Sequence, residues 1–274
     1  MLPSWVVSVP LLTYDPLMCR LAAYTGPSIS LEQFLLAPEH GLPVQSYAPR
    51  EMQSGRVNAD GYGIGWLGNA GPARLVYDKP IWADHNLPTL SRALCAPTWI
   101  AAVRGATPGL ANHPANTQPF LADGLLFTHN GLIDDFGVVR ARIRRQLSPQ
   151  IEASIEGTTD SEYIFALIRQ IRADGVMDPR EALAALAGRL ADVLGARRAL
   201  VNIILAEDHR LHALRHAYGD TAPSLHFTTD DEEYASGLLV ASEPTTCGSY
   251  WQTVPEGHIL TLDPDLPAEL VALS

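Results

Sequence analysis

A cysteine directly follows a methionine at Met18-Cys19, immediately before an apolar run. Cysteine is small enough for the preceding methionine to be trimmed, which leaves a free α-amino group beside the thiol. The pKa of such an amine is about 8, so near neutral pH a useful fraction can accept the thiol proton. Cys19 could then supply both the nucleophile and the base for attack on an amide carbonyl. The alternative is a cysteine that only packs in the core.

Two charged residues could recognise an amino-acid substrate. Arg104 follows the apolar run 99–103, and a guanidinium there can offer two parallel hydrogen bonds to an α-carboxylate. Asp160 opens an amphipathic stretch and could bind the ammonium group of the same substrate. The alternatives are a surface arginine in a loop and, for Asp160, a helix N-cap.

The segment Thr128-His129-Asn130-Gly131 lies between apolar residues. The side-chain amide of Asn130 and the backbone N–H of Gly131 could together bind the oxyanion of a tetrahedral intermediate. His129 is a candidate general base, although such a histidine is more often a structural partner. Asn-Gly between apolar runs is also a common signal for a hairpin turn, so that alternative stays open.

Glycines are dense in the stretch Asn58-Ala59-Asp60-Gly61-Tyr62-Gly63-Ile64-Gly65. A phosphate-binding loop would end in Lys-Ser or Lys-Thr ahead of a helix, and this stretch does neither. Glycines inside a strand-like run favour the close approach of another backbone. We predict that the strand bearing Cys19 makes that approach.

The hydrophobic pattern predicts an α+β fold. Ten short runs predict strands at 19–24, 61–67, 74–77, 99–104, 125–129, 200–206, 211–216, 225–228, 238–242 and 258–262. Three amphipathic stretches predict helices at 136–147, 161–173 and 179–193. Several strands are too apolar to have a solvent-facing side, and the order is not the regular βαβ alternation of a parallel sheet. We therefore predict a four-layer αββα sandwich of two mostly antiparallel sheets.

Composition narrows the classes of function. The net charge is -11, which argues against nucleic-acid binding. Three scattered cysteines and the absence of metal-ligand spacing among nine histidines predict a cytoplasmic protein without a metal site.

Residues 1–17 contain no Lys or Arg, and we predict neither a signal peptide nor a membrane span there. We expect residues 1–17 to be absent from the mature protein, either because translation starts at Met18 or because a pro-segment is removed; a retained tail is the alternative. Residues 19–274 are expected to form a single domain. Nothing indicates an oligomeric state.

The order of these motifs along the chain resembles the class II glutamine amidotransferase family, whose members are N-terminal-nucleophile hydrolases with an αββα sandwich. The resemblance implies that Cys19 is the nucleophile and that its own α-amine is the base. It implies further that Asn130 and Gly131 bind the oxyanion, and that Arg104 and Asp160 bind the glutamyl group. It also places three residues next to the substrate or in support of the site: Asn58, Asp60 and Thr107.

The resemblance implies a small-molecule γ-glutamyl substrate and an amidohydrolase that needs no cofactor. Two alternatives remain, a glutaminase or γ-glutamyl amidase with another substrate and a non-catalytic amino-acid-binding module. Tyr47, Arg50 and Trp251 are candidates for contact with the leaving group by resemblance only. Two features depart from the family pattern. The family often has a larger residue at the position of Gly105, and the extension 1–17 would block the α-amine of Cys19.

Overall fold

The computed structural model of the protein describes residues 18–52, 57–105, 112–248 and 250–273. Its strands are β1 (Arg20–Ser30), β2 (Tyr62–Gly68), β3 (Gly71–Tyr77), β4 (Cys95–Val103), β5 (Phe120–Ala122), β6 (Leu125–Ile133), β7 (Ala199–Glu207), β8 (Arg210–Tyr218), β9 (His226–Thr228), β10 (Leu238–Ala241), β11 (Gln252–Thr253), β12 (His258–Asp263) and β13 (Leu266–Ala272).

The α-helices are α1 (Leu42–Gln45), α2 (Leu87–Ala93), α3 (Phe136–Arg144), α4 (Pro149–Ala153), α5 (Asp160–Ala173) and α6 (Pro179–Leu194). Shorter helical turns occur at Glu32–Leu36, Ile81–Ala83 and Pro114–Asn116. In the part of the chain that the structure describes, no helix combines the length and the apolar character needed to cross a membrane.

The strands form two sheets in which the paired neighbours run antiparallel. The first sheet has the order β11-β9-β10-β1-β4-β2-β3, and the second sheet has the order β13-β12-β8-β7-β6-β5. The predicted sandwich of two mostly antiparallel sheets with helices is therefore confirmed.

Three apolar layers hold the sandwich together. Side chains of β1 and β4 pack against β6, β7, β8 and β12 between the two sheets. The outer face of the first sheet is covered by the segment around Glu32–Leu36 together with α1 and α2. The outer face of the second sheet is covered by α3, α4, α5 and α6. Strands β1, β4, β6 and β7 are buried on both faces, and this explains why their sequences are apolar at nearly every position.

All ten predicted strands and all three predicted helices are present, with boundaries that differ by a few residues. The pattern did not predict β5, β11 and β13, or the short helices α1, α2 and α4. Asn130 and Gly131 lie inside β6, paired with β7, so the hairpin-turn alternative is excluded.

The prediction that the β2 glycines face the Cys19 strand is wrong. The neighbours of β2 are β3 and β4, whereas β1 pairs with β4 and β10. The close approach is made instead by the segment before β5, because a Cβ atom on Gly63 would lie 2.0 Å from the carbonyl oxygen of Gln118. A Cβ on Gly65 would lie 3.0 Å from Cγ of Pro119. The glycines thus allow Gln118 to lie close to β2.

Strand register brings several chain segments to one end of the first sheet. Arg20 is opposite Val103, Val103 is opposite Tyr62, and Tyr62 is opposite Tyr77. This row contains the first residue of β1 and of β2 and the last residue of β3 and of β4. We call this end of the sheet the site end, because Cys19 precedes the row and Arg104 follows it.

Candidate active site

Cys19 lies immediately before β1 and is half-buried, with a free thiol. It packs against the apolar layer between the two sheets, together with Leu21 and Ala23. Burial raises the pKa of its thiol, and the Gly105 N–H and the positive charge of Arg104 counteract only part of that rise. The thiol is therefore uncharged near neutral pH, and it needs a base before it can act as a nucleophile.

Met18, which precedes the thiol, is only 2% exposed. It packs in a small apolar cluster with Leu132, Leu200, Ala217 and Ala222. Removal of this residue would open space between the two sheets at the backbone nitrogen of Cys19.

Arg104 leaves β4 at the site end and is 5% exposed. Its backbone is fixed from both sides, because Arg104 N–H donates to Gly61 O at 2.8 Å and Asp60 N–H donates to Arg104 O at 3.0 Å. Nη1 donates to Asp60 O and to Asn112 Oδ1, each at 3.3 Å. Nη2 is buried and has no hydrogen-bond partner within the described ranges. The structure therefore brings Asp60 and Arg104 together and leaves guanidinium donors for a carboxylate.

Asp160 is the first residue of α5, and the N-cap of that helix is Thr159. The alternative that Asp160 is the N-cap is therefore wrong, because Thr159 Oγ1 accepts the N–H of Glu162 at 3.3 Å. The Asp160 carboxylate accepts hydrogen bonds from Ile133 N–H at 3.0 Å and from Ser161 N–H at 2.8 Å. It lies close enough to Cys19 for its charge to affect the thiol. Arg104 and Asp160 thus flank the nucleophile with opposite charges.

Asn130 lies on the face of β6 that points at the first sheet. Side chains alternate along a strand, and Leu126 on this face packs between the sheets, whereas Phe127 on the other face packs under the helices. Asn130 is fully buried, and neither polar atom of its side-chain amide has a hydrogen-bond partner among the described residues. A buried amide without partners is costly, so such a group is usually reserved for a ligand or a water molecule.

The N–H of Gly131 points in the plane of the second sheet, away from β7. His129 N–H on this side donates to Gln118 Oε1, and Ile133 N–H donates to Asp160. Successive N–H groups of a strand alternate in direction, so Gly131 N–H points to the same side as its neighbours two residues away. That side of β6 carries Asp160, which places a second donor near the Asn130 amide.

His129 faces the helices and does not act on the thiol. Its Nε2 lies 3.1 Å from Leu200 O, which can only accept a hydrogen bond, so Nε2 carries the proton. Its Nδ1 then accepts from Ser161 Oγ at 2.9 Å. Burial lowers the pKa of His129, with the charge of Asp160 acting in the opposite direction. A neutral histidine that ties β7 to the start of α5 is a structural partner, and the general-base alternative loses its support.

Gly131 is glycine because the outward face of β6 is filled at this point. A Cβ atom there would lie 1.8 Å from Leu200 O and 2.6 Å from His129 Nε2. Any side chain would therefore break the hydrogen bond between these two groups.

Asn58, Asp60 and Thr107 are the remaining predicted site residues. Asn58 is fully buried, its N–H donates to Ser46 O at 2.6 Å, and its side-chain amide has no partner in the described part of the chain. Asp60 contacts Arg104 as described above. Thr107 lies outside the described residues.

A buried ion pair that was not predicted from the sequence lies next to the nucleophile. Arg20 is fully buried, and its Nε lies 3.3 Å from Oε1 of Glu243, which is also fully buried. Glu243 accepts hydrogen bonds from His40 Nε2 at 2.8 Å and from the N–H groups of Arg50 at 2.7 Å and Glu51 at 3.1 Å. It therefore ties the start of β1 to the loop after α1. The available signal was an arginine inside an apolar strand, because a buried arginine needs a partner.

The arrangement has the parts of an acyl-transfer site. Among the described residues, a thiol lies near a buried arginine with one unpartnered donor and near a carboxylate held by backbone N–H groups. The two charged groups together match a zwitterionic amino-acid head. Strand β6 presents the Asn130 amide, which has no partner in the described part of the chain, and the N–H of Gly131.

Comparison with known proteins agrees with this fold and shows the family of the chain. The model of the class II glutamine amidotransferase family matches residues 39–266, and the chain therefore belongs to this family. The γ-glutamyl-hercynylcysteine sulfoxide hydrolase of Mycolicibacterium smegmatis is 35% identical over 245 residues, which cover 89% of this chain and 95% of the relative.

Solved structures share the fold at lower identity. A glutamine aminotransferase class-II domain protein from Silicibacter pomeroyi superposes with a TM-score of 0.68 at 23% identity, covering 93% of this chain and all of the other. The glutamine phosphoribosylpyrophosphate amidotransferase of B. subtilis superposes with a TM-score of 0.66 at 13% identity, covering 93% of this chain and 49% of the other.

Proposed function

We propose that this protein hydrolyses the γ-glutamyl amide of γ-glutamyl-hercynylcysteine sulfoxide and releases glutamate. The observation that carries the proposal is the 35% identity to the relative of that name over nearly its full length. The presence of both Arg104 and Asp160 near Cys19 supports the proposal, because a glutamyl head carries both a carboxylate and an ammonium group.

The proposed reaction proceeds through a thioester on Cys19. Once Cys19 is the first residue, its α-amine takes the thiol proton and sulfur attacks the γ-carbonyl carbon. The carbonyl oxygen becomes an oxyanion bound by the Asn130 amide and Gly131 N–H. The carbon–nitrogen bond breaks, the α-ammonium protonates the leaving amine, and a thioester remains. Water then attacks the thioester carbonyl, the sulfur leaves and regains a proton, and glutamate is released.

In this scheme the remaining predicted residues bind the substrate or support the site. Arg104 binds the glutamyl carboxylate and Asp160 binds its ammonium group. Asp60 holds Arg104 through its backbone carbonyl, and the proposed role of Asn58 and Thr107 is to contact the substrate or to support the site. The proposed reaction requires neither a metal ion nor a cofactor. A reduced Cys19 is required, which fits a cytoplasmic enzyme.

The substrate assignment is tested by comparing glutamate release from three compounds: γ-glutamyl-hercynylcysteine sulfoxide, γ-glutamylcysteine and glutamine. We expect the highest kcat/KM for the sulfoxide. Equal or faster hydrolysis of glutamine would identify a glutaminase instead. Binding of γ-glutamyl compounds by calorimetry without release of glutamate would identify a non-catalytic binding module.

Asn130→Ala is expected to lower kcat by roughly 10²- to 10³-fold, the usual effect of removing one oxyanion donor, while KM changes little. Steady-state kinetics on the purified variant measure this. Asn202→Ala is the matched control. Asn202 is the buried asparagine opposite Asn130 on β7, and its amide donates to Pro223 O at 3.0 Å. A similar loss of kcat in both variants would indicate damage to the fold rather than loss of a donor.

Arg104→Lys is expected to lower kcat/KM by roughly 10- to 100-fold, mainly through a higher KM, because lysine keeps the charge but loses the two-pronged geometry. Steady-state kinetics with a γ-glutamyl substrate measure it. Arg180→Lys, which changes a surface ion pair with Glu269, should leave both constants unchanged. An unaltered KM in Arg104→Lys would remove Arg104 from the carboxylate contact.

A further inference from the structure

Two large aromatic side chains are exposed and touch each other outside the first sheet. Tyr47 is 55% exposed and Trp82 is 48% exposed. Their ring centroids are 6.1 Å apart and their planes meet at 83°, an edge-to-face contact. The two residues come from separate segments, the loop after α1 and the turn after β3, so their contact forms a corner between the two rings.

This aromatic pair lies at the site end of the first sheet. Trp82 belongs to the turn Ile81–Ala83, which follows the end of β3. Asp84, the first residue after this turn, accepts a hydrogen bond from the hydroxyl of Tyr62. Tyr62 is a member of the row that defines the site end. On the other side, Ser46 precedes Tyr47 and accepts the N–H of Asn58.

Asn58 links the pair onward to the candidate active site. Two residues after Asn58, Asp60 N–H donates to the backbone of Arg104. The loop that carries Tyr47 and the guanidinium of Arg104 therefore border the same short segment, residues 58–60. A ligand whose glutamyl head binds at Arg104 can extend along this segment towards the two rings.

The leaving portion of the proposed substrate has chemistry that suits such a corner. Its hercynyl group is a histidine whose α-nitrogen carries three methyl groups, and that nitrogen is permanently positive and has no N–H. Such a group cannot donate a conventional hydrogen bond, and proteins bind it on the faces of aromatic rings.

A negatively charged residue, Asp84, directly follows the turn that contains Trp82. Burial acts to raise the pKa of Asp84, but hydrogen bonds from Tyr62 and from the N–H of Asn86 outweigh it, so the pKa is lowered and the carboxylate is ionised. Asp84 is two residues from Trp82. This charge favours a cation over a neutral apolar group.

We propose that Tyr47 and Trp82 bind the trimethylammonium group of the leaving portion and so select a hercynyl substrate over other γ-glutamyl amides. This inference rests on the proposed function. It assigns a specificity site to an exposed aromatic pair that the hydrolysis step itself does not use.

The test compares aromatic with aliphatic replacements at both positions. Trp82→Leu and Tyr47→Leu are each expected to lower kcat/KM for γ-glutamyl-hercynylcysteine sulfoxide by roughly 5- to 30-fold, mainly through KM. Trp82→Phe and Tyr47→Phe should retain most of the wild-type value, because they keep a ring. With γ-glutamylcysteine, which lacks the trimethylammonium group, all four variants should stay within about twofold of wild type. Tyr250→Leu, which changes an exposed tyrosine next to β11 at the opposite edge of the sheet, should not alter either substrate.

A second measurement separates this inference from the proposed function. Hercynine should inhibit the hydrolysis of γ-glutamylcysteine by the wild-type enzyme more strongly than histidine does, and Trp82→Leu should abolish that difference. If the wild type shows no preference for the sulfoxide, the proposed substrate is wrong, whereas the hercynine arm still tests the aromatic pair. If the wild type prefers the sulfoxide and both leucine variants keep that preference, the inference is overturned. It is also overturned if Tyr250→Leu loses the preference to the same extent as the two leucine variants.

Discussion

Cys19→Ala is expected to reduce glutamate release by roughly 10⁴- to 10⁶-fold, because the variant has no nucleophile to form the thioester. Cys19→Ser should be nearly as inactive, since a hydroxyl is far less ionised than a thiol in the same apolar surroundings. The measurement is a glutamate assay with purified variants, together with mass spectrometry of enzyme quenched during turnover. Wild-type enzyme should gain the mass of a glutamyl group, and the two Cys19 variants should not.

The chain provides its own control for this experiment. Cys95 and Cys247 are also free cysteines, and both are exposed. Cys95→Ala and Cys247→Ala should keep wild-type kinetics and should still acquire the glutamyl mass. If Cys19→Ala retains activity, or if the mass appears on another residue, the nucleophile has been assigned wrongly.

Activity is expected to require Cys19 as the first residue. The thiol is neutral because burial raises its pKa, and no Asp, Glu or His among the described residues is hydrogen-bonded to its sulfur. Its own α-amine is then the base within reach. A base of this kind contributes on the order of 10²- to 10⁴-fold. The pKa of such an amine is about 8, so kcat/KM should increase as the pH rises through that value. At lower pH the amine is protonated and cannot accept the thiol proton, so kcat/KM should be low.

A variant that carries a specific protease site directly before Cys19 tests this requirement. We expect little activity before cleavage, and after cleavage an activity proportional to the fraction of chains that begin at Cys19 by intact mass. The same variant with Cys19→Ala is the control, and it should stay inactive after cleavage. Equal activity before and after cleavage of the first variant would exclude the α-amine as the base.

Local sequence predicted those parts of the fold whose residues are buried on both faces. Strands such as β4 and β7 have apolar side chains at successive positions, and this pattern does not depend on which strand lies beside them. In contrast, β13 is exposed over most of its length, and β11 has only two residues. These edge strands exist because a neighbour offers free N–H and C=O groups, and that information lies elsewhere in the chain.

The sequence offered candidate site residues, but it did not predict the geometry around them. Asn130-Gly131 has a typical turn sequence. Residues before and after it on β6 pair with β7, and this pairing overrides the local preference for a turn. The β2 glycines indicated a close approach, but the partner Gln118 comes from a segment more than fifty positions away in the chain. The ion pair between Arg20 and Glu243 joins residues from opposite ends of the chain, so a local pattern could show only that the arginine needs a partner.

Strand β6 carries two separate tasks on adjacent residues. His129 points outward and ties β7 to α5, while Asn130 points inward at the first sheet. Adding or deleting a single position inside this strand would exchange the two orientations, sending the imidazole between the sheets and the amide under the helices. Length changes in homologues should therefore concentrate in the connecting loops, and the spacing from Leu125 to Ile133 should be invariant among active enzymes.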